Sequence, residues 1–204
     1  MSNLIKLQGA DAHIVSADSW QLVRLPAAQE EVKKQAGKVV LFKLTGVASA
    51  SAEQIAATEL PAGQIVLPLP VFLARREDLA ARIAAGEIGV WLESHELVED
   101  LAAAQADLSA LPLIVIHIER FADGRAYSSA ALLRSRFGFK GELRAIGDVL
   151  RDQLFFLKRC GFDAFEIRAD RSAADALASL KDFSEPYQGA TVIDQPLWRR
   201  HARG

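Results

Sequence analysis

The chain of 204 residues is half apolar and one quarter charged, with a net charge of −2. That is enough apolar material for a buried core, and the near-neutral balance argues against a globally basic nucleic-acid binder or a protein held to membranes by charge. The single cysteine, Cys160, can form no internal disulfide, and one thiolate cannot hold an iron–sulfur cluster, which normally draws four.

The first residues, MSNLIKLQGA, lack the basic start, apolar core and small-residue cleavage site of a secretory signal. The longest apolar stretch, LPLIVIHI at 111–118, falls far short of the roughly 20 residues that a membrane helix needs. A cytoplasmic protein is expected, in one α/β domain over 1–204.

Residues 1–63 read as a β lead-in followed by a variable loop. AHIVSADSWQLVR predicts a hairpin around Ser16–Ser19, KVVLFKL (38–44) a further strand, and the Ala/Ser-rich TGVASASAEQIAATELPAG (45–63) a loop with a short helix. The core units follow over 64–185, where strand-like and helix-like patterns alternate. The expected strands are QIVLPL (64–69), IGVWLE (88–93), LIVIHI (113–118), ELRAI (142–146) and AFEIR (164–168). Helices are expected near 72–85, 95–107, 128–137, 148–160 and 172–183, with Gly86, Gly138 and Gly161 as stops and Ser172 with Asp175 as the last start signal. A C-terminal tail occupies 186–204.

This alternation predicts parallel β-α units with right-handed crossovers. The expected fold is a mainly parallel sheet of about five strands with helices on both faces, plus the short N-terminal β lead-in. LIVIHI, apolar almost throughout, suits a central strand covered on both sides. A short or partial β/α barrel is the alternative, because LRDQLFFLKRCGFDAFEI would also suit a barrel unit.

In parallel sheets, ligands bind beyond the carboxyl ends of the strands. That rule gathers Arg120, Asp123, Gly124, Arg125, Tyr127 and Ser128 after the third core strand, with Arg144, Gly147 and Asp148 at the fourth, as candidates for an anion or ligand site. Arg forks suit oxyanions and carboxylates. A plainer account also holds: Asp123-Gly124 makes a turn, Ser128 and Ser129 cap the next helix, and Asp148 caps the helix over 148–160. Between Arg120 and Arg151 the basic residues Arg120, Arg125, Arg134, Arg136, Lys140, Arg144 and Arg151 outnumber the acidic ones. The excess fits a small oxyanion, an acidic partner or a solvated face.

Helical projection of 148–160 places Val149, Leu150, Gln153, Leu154, Leu157 and Cys160 inward, with Arg151, Asp152, Lys158 and Arg159 opposite. Phe155 falls in the middle of the polar side, so Arg151, Asp152, Phe155 and Arg159 are candidate partner-docking residues. Cys160 is expected to be a buried structural thiol. His13, His95, His117 and His201 show no metal-ligand spacing, and His117 reads as a hydrogen-bonded core residue. There is no G-x-G-x-x-G after a strand, no P-loop, no G-x-S-x-G and no H-E-x-x-H. The expectation is therefore no cofactor, no metal, no nucleic-acid partner and no membrane, with no catalytic residue assigned.

The stretch FADGRAYSSAALLRSRFGFKGELRAIGDVLRDQLFFLKRCGFDAFEIRAD resembles an uncharacterised bacterial family, a domain of unknown function described as an oxidoreductase of sulfite reduction. IVLPLPVFLARRE and IGVWLES are similar to its earlier segments. Ala126 stands where that family often has Gly. The resemblance implies sulfate assimilation beside assimilatory sulfite reductase, and supplies no established catalytic residues. Two roles are open. One is an accessory or binding protein docking on sulfite reductase or a neighbouring enzyme. The other is an oxidoreductase or other enzyme with an oxyanion site at the strand ends. A carboxylate beside Arg is held below its usual titration range, which suits electrostatics better than proton transfer and favours the binding role.

Overall fold

The structure, a computed structural model, describes residues 3–9, 11–25 and 50–200. The strand expected at 38–44 lies outside them. The strands are β1 Leu4–Gln8, β2 Asp11–Ile14, β3 Gln21–Leu22, β4 Ile65–Pro68, β5 Ile88–Glu93, β6 Leu113–Ile118, β7 Glu142–Gly147 and β8 Ala164–Glu166. The helices are α1 Ala52–Ala56, α2 Leu69–Arg75, α3 Ala80–Ala84, α4 Val98–Ala104, α5 Arg125–Ser135, α6 Leu154–Cys160, α7 Ala173–Ser179 and α8 Leu197–Arg200. No helix among the described residues is long and apolar enough to cross a membrane.

Among the described residues, the eight strands form one mixed sheet in the order β2-β1-β8-β7-β6-β5-β4-β3. From β3 to β8, each strand is parallel to the next in sequence. β1 adds antiparallel to β8, and β2 antiparallel to β1. The expectation of about five parallel strands with helices on both faces is thus overturned, while the α/β class holds.

The reason lies in the winding. When each new parallel strand is added on the same side and every crossover is right-handed, all the helices fall on one face. The inward residues of α2 to α7, among them Phe72, Ile83, Leu101, Leu133, Leu157 and Ala176, share one core with Leu67, Val90, Ile116, Leu143 and Phe165 of the sheet. The opposite face carries a separate small cluster of Val66, Trp91, Leu113, Val115 and Ile146, packed by Trp20 and Leu22. β6 is apolar because one of its sides meets helices and the other lies inside a curl.

Simple lengths require that curl. Eight strands span seven spacings of about 4.8 Å, an arc of about 34 Å, yet the seven residue steps from Ile14 to Gln21 reach about 25 Å at most. Since Ile14 ends β2 and Gln21 begins β3, at opposite edges, the edges must approach one another and the sheet becomes a half-barrel with its helices outside.

The link Val15–Trp20 runs as a strap over the inner face. Asp18 meets Arg144 of β7, Ser19 Oγ donates to Gln64 Oε1 at 2.6 Å, and Trp20 joins the inner cluster. The hairpin expected around Ser16–Ser19 is therefore not formed. Alternating polarity cannot separate two paired strands from two strands at opposite edges. The short helix expected within 45–63 is α1, where Ser51 and Gln54 form a reciprocal capping box.

Candidate functional site at the strand carboxyl ends

The loop after β6 begins α5 at Arg125. Asp123 accepts from Arg125 Nε at 2.9 Å, from Nη2 at 2.7 Å and from the Arg125 backbone N–H at 3.1 Å. The guanidinium hydrogen bonds hold the Asp123 carboxyl below the usual range, against a smaller opposing effect of burial. Gly124 is the residue before α5 and Ser128 is exposed. Arg120 is also exposed, 4.0 Å from Glu119. Tyr127 stacks at a tilt on Phe156, with ring centroids 4.9 Å apart, and burial raises its hydroxyl pKa.

Asp148 does not cap a helix. Its Oδ2 accepts from the Phe121 backbone N–H at 2.8 Å and its Oδ1 from Arg168 Nη1 at 2.6 Å. It ties the exits of β6, β7 and β8 together. Arg168, which also grips Asp170 at 2.6 and 3.1 Å, has no place among the sequence candidates. Helix α6 starts later than expected, at Leu154, after a 3-10 turn Arg151–Gln153 in which the Gln153 side chain accepts from the Leu150 N–H at 2.8 Å. Gln153 also donates to the Phe121 carbonyl at 3.3 Å, so the sequence expectation that it points inward is met.

Arg144 is not on the rim. It lies mid-strand on the inner face, 4% exposed, with Asp18 at 2.5 Å and Glu142 at 2.7 Å; Lys6 Nζ is 2.7 Å from the second oxygen of Glu142. Burial works against its charge, and the two carboxylates overcome that and hold it protonated. Arg134 is likewise internal to the fold. It donates to the carbonyls of Gly161, Phe139 and Gly141 and to Asp163 at 2.7 to 2.9 Å. Two residues of the counted basic excess are thus structural.

Among the docking candidates, Arg151 is exposed, 3.9 Å from Asp182. With Asp152, Arg171 and Asp175 it lines a cavity of about 310 Å³. Phe155 is half-buried against Phe183 at 4.9 Å, and Arg159 lies over the rings of Phe155 and Phe156 while donating to the Gln188 and Gly189 carbonyls. The chain's own C-terminal stretch covers the position expected to be an open anchor. The exposed aromatic of α6 is its neighbour Phe156, at 48%. Cys160 is half-buried beside the core and burial raises its thiol pKa.

The sequence reading missed a pair on the inner face. Parallel register sets Glu93, the last residue of β5, beside His117 of β6. His117 Nδ1 lies 2.6 Å from Glu93 Oε2, and the side chains are 23% and 33% exposed. The Ser94 hydroxyl donates to the His117 carbonyl at 2.6 Å, and the Trp91 ring meets the imidazole edge-on at 5.8 Å. Gly147 closes the other side with φ +97°; a Cβ there would strike the Ile118 carbonyl and lie 2.7 Å from His117 Cδ2. The findable signal was positional: two polar side chains at the carboxyl ends of strands that pair in register. Among the described residues, no group of three or more His, Cys, Asp or Glu could hold a metal.

Fold and site together define a half-barrel α/β protein with its polar groups gathered at the strand carboxyl ends. Residues 89–198, from β5 to α8, match the family described as bacterial protein of unknown function (DUF934). This is more than half of the chain, and the chain belongs to that family. Among the curated proteins none matches.

Proposed function

We propose that the protein is an accessory binding protein of assimilatory sulfite reduction, docking on sulfite reductase or a neighbouring enzyme through its strand-end rim. The pathway rests on the family resemblance of residues 121–170. One observation supports a docking role: exposed aromatics stand beside carboxylates that are already taken. Phe121 and Phe156 are 46% and 48% exposed, linked through Gln153 and Tyr127, while both oxygens of Asp123 and of Asp148 accept hydrogen bonds. Aromatic and Arg side chains are the usual anchors of interfaces. Exposed Arg120 and Arg151 beside them suit an acidic partner surface.

The alternative, an enzyme using Asp123 or Asp148 as acid or base with Arg120, Arg125 and Arg144 holding an oxyanion, has less support. Those carboxylates are held by Arg side chains, and Arg144 is committed to Asp18 and Glu142. The test is binding of purified protein to immobilised sulfite reductase. A complex that Phe156→Ala weakens about tenfold or more supports the reading. Absence of a complex, or one indifferent to Phe156, refutes it.

A further inference from the structure

We propose that the inner face of the half-barrel carries a site for a small oxyanion that still bears an O–H, with His117 Nε2 as the hydrogen-bond acceptor. The site lies beside the docking rim at the strand ends and does not depend on any partner protein.

The argument starts from the imidazole. With Nδ1 at 2.6 Å from a carboxylate oxygen, Nδ1 is the nitrogen placed to donate to Glu93, and in the neutral ring Nε2 is then the acceptor. The ring is positioned by Glu93 on Nδ1, by the edge contact with Trp91 and by Gly147 near its Cδ2, while Ser94 holds the backbone carbonyl. A core histidine would be satisfied by burial and one hydrogen bond. This one keeps 23% of its side chain in solvent, at the end of the strands where parallel sheets bind ligands.

A second observation is independent of the pair. Trp91 is 7% exposed, and among the described residues its Nε1–H is buried without a hydrogen-bond partner. Such a donor is costly to leave unpaired and calls for an acceptor. On the same face the Arg24 guanidinium lies 5.8 Å over the Trp91 ring. An acceptor nitrogen, an unpaired N–H and a guanidinium suit one chemistry: a compact oxyanion that still carries an O–H.

On binding, the ligand O–H donates a hydrogen bond to Nε2 and no covalent bond changes, with Glu93 holding Nδ1–H and Arg24 the cation on this face. The other charged groups nearby are Glu96, whose carboxylate accepts from the Glu93 backbone N–H, and Asp123, which is already paired with Arg125.

The test uses the whole chain labelled with nitrogen-15 and follows the His117 ring nitrogens by NMR. The probes are inorganic phosphate and sulfate at about pH 8, well above the ordinary imidazole range, where phosphate still keeps one proton and sulfate has none. The expected result is a saturable shift of the His117 Nε2 resonance with phosphate, and binding about tenfold weaker with sulfate. His117→Gln should abolish phosphate binding and Glu93→Gln should weaken it about tenfold, with circular dichroism unchanged. Trp91→Phe, which keeps the bulk and deletes the N–H, should also weaken it. An unmoved His117 ring, equal binding of sulfate, or wild-type binding by His117→Gln overturns the proposal. None of these outcomes bears on the sulfite-reductase complex, so the two readings fail separately.

Discussion

Replacing Arg144 with methionine deletes a charge that is 4% exposed while leaving its two carboxylate partners in place. Removing one member of a buried ion pair costs about 3–5 kcal/mol, because the other charge stays desolvated. Here the penalty is moderated. Asp18 and Glu142 are 24% and 20% exposed, and Glu142 keeps Lys6 at 2.7 Å, so Asp18 alone is orphaned. The low end, about 3 kcal/mol, is therefore expected. For a chain of this length it lowers the melting temperature by about 6–12 °C. Urea denaturation followed by circular dichroism measures the loss directly, and the double variant Asp18→Asn/Arg144→Met should be more stable than Arg144→Met because no unpaired charge remains. A loss below about 1 kcal/mol would mean that the attraction merely balances desolvation. A double variant no better than the single one would show that the strap is not held through Asp18.

The Glu96 carboxyl is pushed up to about 7, chiefly by burial and further by Glu93 and Asp100, against the hydrogen bond from the Glu93 N–H. Between its ordinary range and pH 7 the folded chain holds a proton that the unfolded chain has released, so stability should fall as pH rises through that window, by about 1–2 kcal/mol. Glu96→Gln should flatten that part of the stability profile measured by urea titration. Phe155→Ala and Phe156→Ala should each lose about 1 kcal/mol through their contacts with Phe183 and Tyr127, as thermal denaturation would show. Gly147→Ala combines a left-handed backbone with contact against the Ile118 carbonyl and His117, and should destabilise by about 3 kcal/mol or fail to fold. Cys160, its thiol pKa raised by burial, should react with a thiol reagent far more slowly than free cysteine under native conditions.

The five core strands were legible because each is a short apolar run bounded by turn residues, and the described strands β4 to β8 lie within a few residues of those runs. The helical spacing was legible for the same reason, although the turn at 76–79 and the 3-10 turn at Arg151–Gln153 break or delay what periodicity joins. What could not be read was where the lead-in goes. β2 pairs with β1 in a local hairpin, and it is the other side of β1 that meets a sheet edge, β8, supplied much later in the chain. The rim candidates were placed by a sound rule, yet their partners came from elsewhere. Arg168 takes Asp148, Asp18 takes Arg144 and Phe183 takes Phe155, and none of these is a neighbour in sequence. His117 was judged by the apolar residues beside it along its strand. Its hydrogen-bonded neighbour, Glu93, lies across the strand pair.

The attachment of β1 to β8 has a kinetic consequence. β4 to β8 can zip together in the order in which they are synthesised, since each pairs with the strand before it. The β1–β2 hairpin leaves the ribosome well before β8 exists, so Leu4 must wait for Glu166. Pairings so distant along the chain are slow to close, and until this one closes the outer edge of β8 presents unpaired backbone groups to any other strand. Refolding should therefore show a late phase belonging to the hairpin, and crowding the chains together during that phase should divert them into aggregates.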